Sequence, residues 1–253
     1  MSKNISLLFC LFSCITISFP QLIKAQTAYE IIQKTDEKMR GDSDYSEMKM
    51  TIERPNWKRE VVMKAWALGM DYSLILITSP ARDKGSAFLK REKEIWNWQP
   101  SIDRVIKLPP SMMMQSWMGS DFTNDDLVKE SSILNDYTHV LMEDSTISDK
   151  TVYKVRLLPK EDAAVVWGRI DAYIDKETFN QVMLRYYDED DYLINIMLLS
   201  EEREVSGRYL PTKMEMIPAE NPDQKTIIEY TYREIDKPIK PSFFSLQNMK
   251  RVK

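Results

Sequence analysis

Cysteine and histidine, on which many catalytic and metal sites depend, are scarce in this sequence. Its 253 residues include two cysteines, Cys10 and Cys14, and one histidine, His139. Both cysteines precede residue 26, where we expect a mature chain to begin, so we expect no disulfide and no thiol chemistry. His139 lies in a strand-like stretch without neighbouring ligands, which favours a partly exposed strand histidine over a catalytic base or a metal ligand.

Sequence motifs of hydrolytic enzymes are also absent. The chain has no G-x-S-x-G nucleophile elbow and no H-E-x-x-H zinc motif. Asp121, Thr123 and Asp125 have part of a calcium-loop spacing, but Asp126 replaces the required glycine and Ser132 the required glutamate. We therefore expect no catalytic residue, no metal site, no cofactor and no enzymatic activity. Carboxylates brought together from distant strands, as in glycoside hydrolases, stay open as the enzymatic alternative.

Excess positive charge is lacking too. The formal net charge is -4, and loss of Lys3 and Lys24 with a leader leaves 33 basic against 39 acidic side chains, or -6. Nucleic-acid binders concentrate positive charge, so we expect no nucleic-acid partner. After the N-terminus, no apolar run approaches the roughly 20 residues of a membrane-spanning helix. We expect a mature chain without a transmembrane segment, soluble outside the cytoplasm.

The N-terminus has the pattern of a secretory signal peptide. Lys3 precedes the apolar and hydroxylic stretch ISLLFCLFSCITISFPQLI, and Ala25 supplies a small residue at the expected cleavage point. We predict a leader over residues 1–25, cleaved on export to the periplasm. An outer-membrane lipoprotein anchored through Cys14 is the alternative, but Phe12 fits the lipobox poorly and the apolar run continues past Cys14.

For residues 26–253, the sequence predicts one domain in which a helix is followed by many strands. Thr27 and Glu30 have capping-box spacing at the start of an amphipathic helix. From Tyr45 onward, apolar and polar residues alternate with period two in segments separated by short polar turns, which predicts an antiparallel meander of about eleven strands. Several strands are apolar on both faces and need a cover on one and a core on the other. We predict an α+β, mainly β fold, with a curled sheet whose hollow is filled by a few helices.

The Met-rich segment MMMQSWMGSDFTNDDL, Met112 to Leu127, is the most unusual part of the sequence. Met113, Met114, Trp117 and Met118 have the spacing of one helical stripe, after two prolines and before a glycine. Thr123 and Asp126 have capping-box spacing for a second short helix. Such a stripe is core in most proteins, but methionine also suits surfaces that accommodate varied apolar ligands.

Four segments carry a family resemblance. The opening TAYEIIQKTDEKMRG, SPARDKGSAFL (79–89), IWNWQPSIDRVIKLPP (95–110) and SWMGSDFTNDDL (116–127) resemble the outer-membrane lipoprotein-sorting protein family, and most closely its larger uncharacterised periplasmic branch, which is LolA/LolB-like. The resemblance covers nearly all of the mature chain. It implies an incomplete antiparallel β-barrel closed by helices that act as a lid over an apolar cavity.

The resemblance also implies a function without catalysis. It suggests a periplasmic carrier or acceptor that binds acyl chains of lipoproteins or lipids for outer-membrane sorting. Two alternatives are an accessory subunit of an inner-membrane exporter of the resistance-nodulation-division type and a non-transporting sensor domain of the same fold. Fold-level kinship does not choose among them.

We predict eight ligand-binding residues on this basis. Adaptable methionines and large tryptophans would suit a closing lid and a cavity wall. The predicted lid side has Met113, Met114, Trp117, Met118 and Phe122, and the predicted sheet side has Trp66, Trp96 and Trp98. Trp96 and Trp98 are two residues apart on one strand, so their side chains should point to the same side.

Overall fold

The structure, a computed structural model, describes residues 26–129 and 132–253. The predicted leader over residues 1–25 and the alternative lipid anchor at Cys14 lie outside the described residues. Among the residues described, no helix has the length and hydropathy needed to cross a membrane.

Helix α1, Ala28–Arg40, begins at the predicted capping box. The Glu30 N–H donates to Thr27 Oγ1 at 3.2 Å, and the Thr27 N–H donates to Glu30 Oε2 at 2.8 Å. These two bonds satisfy donors that the first turn of a helix leaves without partners. The helix buries Ile31 and Ile32 completely and ends at Gly41, which adopts a φ of +67°. The predicted N-terminal helix is confirmed.

Fourteen strands follow helix α1 in the described residues. Their bounds are β1 Ser43–Arg54, β2 Trp57–Leu68, β3 Tyr72–Ser79, β4 Ala87–Arg91, β5 Glu94–Gln99, β6 Arg104–Lys107, β7 Tyr137–Leu141, β8 Ser145–Ile147, β9 Lys150–Pro159, β10 Arg169–Asp175, β11 Gln181–Tyr187, β12 Leu193–Val205, β13 Arg208–Pro218 and β14 Lys225–Ile235. The expectation of about eleven was too low. Two of the strands, β6 and β8, are only four and three residues long, which is too short for a period-two pattern to be recognised.

All fourteen strands belong to one antiparallel sheet with the order β6-β5-β4-β3-β2-β1-β14-β13-β12-β11-β10-β9-β7, and β8 pairs with β9. The first strand therefore pairs with the last, and this pairing joins the two halves of the chain. Strands β6 and β7 form the two edges, so the curled sheet stays open. This is the predicted mainly β architecture of an incomplete barrel.

The sheet is apolar on both faces over β3 to β5, and both faces are covered there. On the inner face, β-strand residues such as Met50 and Ile77 pack with Ile31 of α1 and Trp117 in the largest core cluster. The outer face of β3 to β5 carries a second cluster that is closed by Phe244 and by Met249 of helix α2, Leu246–Met249. These three strands thus have a core on one face and a cover on the other, as strands that are apolar on both faces require.

The Met-rich segment does not form the predicted α-helix. Residues 112–129, here called the cover loop, contain a helical turn at Trp117–Gly119 and a π-helical turn at Asp125–Lys129. Within the loop the chain folds back on itself, because the Trp117 N–H donates to the Phe122 carbonyl at 2.8 Å and the Asn124 N–H donates to the Gln115 carbonyl at 2.9 Å. These bonds across the loop replace the bonds along the chain that a helix would make.

The second predicted capping box does form within the cover loop. The Asp126 N–H donates to Thr123 Oγ1 at 3.1 Å, and the Thr123 N–H donates to Asp126 Oδ2 at 2.8 Å. Asp126 is therefore part of the start of the π-helical turn and not of a calcium loop.

Candidate functional site

A cavity of about 290 Å³ lies between the inner face of the curled sheet and the two elements that cover it. Helix α1 contributes Met39 and Arg40, and the cover loop contributes Phe122 and Leu127. The remaining walls come from strands of both halves of the sheet. Because β1 and β14 pair at its centre, the hollow is continuous across the two halves of the chain.

Most of the cavity lining is apolar, and methionine is prominent in it. Five methionines line the cavity: Met39, Met48, Met63, Met197 and Met214. Four of them lie on strands, where their inward direction follows from the period-two alternation. Sequence reasoning placed the adaptable methionines in the Met-rich segment and missed these strand positions as site residues, although the alternation of Met48 with polar neighbours could have indicated them.

Four charged residues border the cavity near the C-terminal end of α1. Arg233 Nε donates to Asp44 Oδ2 at 2.6 Å, and a second guanidinium nitrogen of Arg233 donates to the Met39 carbonyl at 2.6 Å. Arg40 Nε donates to Asp36 Oδ1 at 3.2 Å. All four charged side chains are partly exposed, so the cavity reaches solvent at this end of α1.

A buried polar cluster forms a second part of the lining. Trp167 Nε1 donates to Asp126 Oδ1 at 2.9 Å, and the rings of Trp167 and Tyr186 lie 5.0 Å apart. Burial raises the pKa of the Asp126 carboxyl, although the hydrogen bonds from Thr123 and Trp167 act in the opposite direction. Burial, followed by the charges of Asp125 and Asp126, raises the pKa of Tyr137. Tyr137 therefore stays neutral and keeps its hydroxyl proton.

The predicted lid residues have three different environments. Phe122 lines the cavity. Met113 and Trp117 are buried in the core cluster, where the Trp117 ring lies 5.3 Å from that of Phe88, and Met118 packs partly buried against the same cluster. Met114 is 70% exposed, so the expected four-residue stripe does not exist. Ligand contact by this group stays a prediction, and the structure supports it best for Phe122.

Two of the three predicted sheet-side tryptophans lie on the outer face of the sheet, away from the inner cavity. Trp96 and Trp98 do point to the same side of β5, as expected, but both belong to the outer cluster that Phe244 closes. Trp66 borders the cavity, while its ring packs 5.4 Å from that of Phe243 on the outer face. The expectation that Trp96 and Trp98 face the lid residues is corrected, because strand parity places them opposite Ile95 and the inner core.

His139, in strand β7, contacts a backbone carbonyl and an aromatic ring. Its Nε2 lies 2.7 Å from the Ile133 carbonyl, and the Tyr29 ring approaches it edge-on at 5.7 Å. Across residues 26–129 and 132–253, no group of three or more His, Cys, Asp or Glu side chains could hold a metal ion. The arrangement around the cavity is suited to holding an apolar ligand.

A family model and several solved structures are similar to this chain. A family model described as an uncharacterized protein matches residues 69–251, which is more than half of the chain. No curated protein matches the sequence.

Three solved structures share the fold. A DUF1329 family protein from Desulfovibrio piger has a TM-score of 0.79 at 21% identity, with 88% of this chain and 97% of that chain covered. A domain assigned as an outer membrane lipoprotein-sorting protein from Vibrio parahaemolyticus has a TM-score of 0.79 at 18% identity, with coverage of 88% and 98%. A LolA superfamily protein from Nitrosomonas europaea has a TM-score of 0.77 at 20% identity, with coverage of 88% and 99%.

Proposed function

The chain belongs to the family of uncharacterized proteins whose model it matches and has the fold of the LolA superfamily, and from this premise we propose that it is a periplasmic carrier or acceptor of acyl chains. The ligand would be a lipoprotein acyl chain or a lipid, held in the inner cavity without any chemical step. The observation that carries the proposal is the apolar, methionine-lined cavity between the sheet, α1 and the cover loop.

The size and lining of the cavity support a flexible apolar ligand. Its 290 Å³ lies at the lower end of the roughly 300–1,000 Å³ of ligand pockets. Methionine side chains have three rotatable bonds, so five of them allow the cavity to widen around a chain and to contract after its release. Each buried methylene is worth roughly 0.8 kcal/mol, so burial of about eight of them would contribute roughly 6 kcal/mol.

The four charged side chains near the C-terminal end of α1 suggest which end of the ligand lies at the cavity opening. Arg40, Arg233 and their carboxylate partners lie where the cavity reaches solvent. A polar headgroup or the peptide part of a lipoprotein would remain at this exit while the acyl chain enters the apolar interior. The partly buried Asp126 accepts hydrogen bonds from Thr123 and Trp167 and does not require a charged ligand.

Native mass spectrometry of the periplasmically expressed protein, followed by lipid analysis of the denatured sample, tests the proposal. We expect an acyl-bearing mass that Ala65→Phe abolishes, because Ala65 lines the cavity and a phenyl ring would fill it. Val62→Phe is the matched control, since Val62 is exposed on the other face of the same strand.

Two results would overturn the carrier function. The first is a wild-type protein that is empty and takes up neither added lipid nor acylated peptide. This would favour a sensor domain whose cavity is only core. The second is ligand retained by Ala65→Phe at the level of Val62→Phe, which would place the ligand outside the inner cavity. A stable complex with an inner-membrane exporter would favour the accessory-subunit alternative.

A further inference from the structure

A groove of about 750 Å³ lies on the outer face of the sheet, separate from the inner cavity's interior. It runs between strands β1 and β2 and the C-terminal segment, residues 237–253. Three aromatic rings form its floor: the Trp66 ring lies 5.4 Å from Tyr45 on one side and 5.4 Å from Phe243 on the other. All three are half-buried, so the floor is apolar and accessible from the groove.

The groove is basic in a chain with a net charge of -4. Its lining includes four lysines, Lys64, Lys237, Lys240 and Lys253, and no aspartate or glutamate. Lys237 forms an exposed ion pair with Glu234 at 2.8 Å. Within the described part of the chain, the other three lysines have no ion pair.

The carboxylate that lies across from Lys64 bonds to a tyrosine. Glu47 lies directly across from Lys64 in the pairing of β1 with β2, and it accepts a hydrogen bond from the Tyr45 hydroxyl at 2.6 Å. Burial, followed by this bond, raises the pKa of Tyr45 to about 12, so the hydroxyl stays a donor at neutral pH. Glu47 accepts a bond from Tyr45 and forms no ion pair with Lys64 in the described part of the chain, so the Lys64 ammonium can pair with an incoming anion.

We propose that this groove is a docking site for an acidic segment of a partner protein, whose carboxylates pair with the lysines while an apolar side chain packs on Tyr45, Trp66 and Phe243. Aromatic residues are enriched at the centres of protein interfaces, and the rim around them is polar. The charge of the lysines is complementary to that of an acidic segment.

The shape of the groove favours a peptide over a membrane surface. The aromatic floor is half-buried between the strands and the C-terminal segment, where a planar array of lipid headgroups does not reach it. An extended peptide can place single side chains into such a groove. The inference is independent of the carrier function, because it concerns the outer face of the sheet.

An NMR titration of the isotope-labelled mature protein tests the proposal. The probe is a synthetic peptide of glutamate and aspartate residues around one phenylalanine, and a peptide with lysine in place of every acid is its control. We expect the acidic peptide to shift the resonances of Tyr45, Trp66, Phe243 and Asn248, and the lysine peptide to leave them unchanged.

Paired charge reversals locate the site. Lys64→Glu/Lys240→Glu should weaken binding of the acidic peptide by about tenfold, because two exposed ion pairs together contribute between about twofold and about thirtyfold. Lys84→Glu/Lys93→Glu changes the charge equally at exposed lysines outside the groove and should have a much smaller effect. The milder Lys64→Gln/Lys240→Gln serves if the first variant does not fold.

Other outcomes would overturn the docking site. Equal weakening by both charge reversals would mean that the peptide responds to net charge alone. Binding of phosphatidylglycerol vesicles, but not of the peptide, with sensitivity to Lys64→Glu/Lys240→Glu would identify a membrane contact. Identical shifts with inorganic phosphate alone would identify a small-anion site.

Discussion

Asp121 attaches the cover loop to the centre of the sheet. The Arg54 guanidinium donates to both of its carboxylate oxygens, at 2.8 and 3.0 Å, and Thr226 Oγ1 donates to Oδ2 at 2.6 Å. Arg54 belongs to β1 and Thr226 to β14, the two strands that join the halves of the molecule. Asp121 in the segment SWMGSDFTNDDL therefore holds the loop over the cavity.

We expect Asp121→Asn to destabilise the fold by about 2–3 kcal/mol, because hydrogen bonds to a charged group are lost and the largely buried Arg54 keeps no carboxylate partner. Urea unfolding of the two proteins measures the difference. Asp71→Asn is the control at an exposed turn and should change stability little. Equal losses in the two variants would show that Asp121 has no such role.

The partly buried Asp126 predicts a pH dependence of stability. Its folded pKa is raised by burial, so between the ordinary value of about 3.9 and the raised value the folded state binds more protons than the unfolded state. The free energy of unfolding therefore falls as pH rises through this window and is constant above it. We expect Asp126→Asn to lack this contribution.

The measurement is urea unfolding of wild type and Asp126→Asn from about pH 4 to pH 8. The stability of the variant relative to wild type should increase with pH across the window and then level off. Asp71→Asn, at an exposed turn, is the control variant in the same pH series. A constant difference for Asp126→Asn would mean that the carboxyl titrates at its ordinary value in the fold.

Among the elements, the C-terminal segment is a structural cover for the outer face of the sheet. Phe244 is completely buried against Leu74 and Leu89, and its ring lies 5.6 Å from that of Tyr72. Its removal would expose an apolar face of the strands that also form the inner cavity. The segment thus supports the proposed site although it does not line the inner cavity.

We expect Phe244→Ala to cost about 3–5 kcal/mol of stability, the usual range for loss of a buried phenyl ring. Leu246→Ala, in the same segment at 39% exposure, should cost much less. Thermal and urea unfolding of both variants provide the comparison. Comparable small losses would show that the segment packs loosely and is not needed as a cover.

The cover loop shows why one element was mispredicted. Spacing of apolar residues in the Met-rich segment is compatible with a helix, but it does not reveal that the backbone N–H of Trp117 bonds to Phe122. The capping box at Thr123 was predicted correctly, because both of its bonds join residues three apart. Hydrogen bonds between residues three apart can be predicted from residue spacing in the sequence. The bonds by which a loop folds back on itself cannot.

For the whole molecule, we propose that residues 26–253 form a single domain. One sheet runs through all fourteen strands, and the main core cluster extends from Ile31 of α1 to Ile228 of β14. We expect a single cooperative unfolding transition, with tryptophan fluorescence and far-ultraviolet circular dichroism giving coincident curves. Two separated transitions would divide the chain into independently folding halves.

The sequence by itself determined the kinds of element in this protein and most of their positions. Period-two alternation predicted the long strands, and Thr27 with Glu30 predicted the start of α1, because these signals depend on neighbours a few residues apart. The tertiary structure alone decided that β1 pairs with β14, that Trp96 and Trp98 belong to the outer face, and that strand methionines line the cavity. These features depend on contacts between distant parts of the chain, for which no local pattern exists.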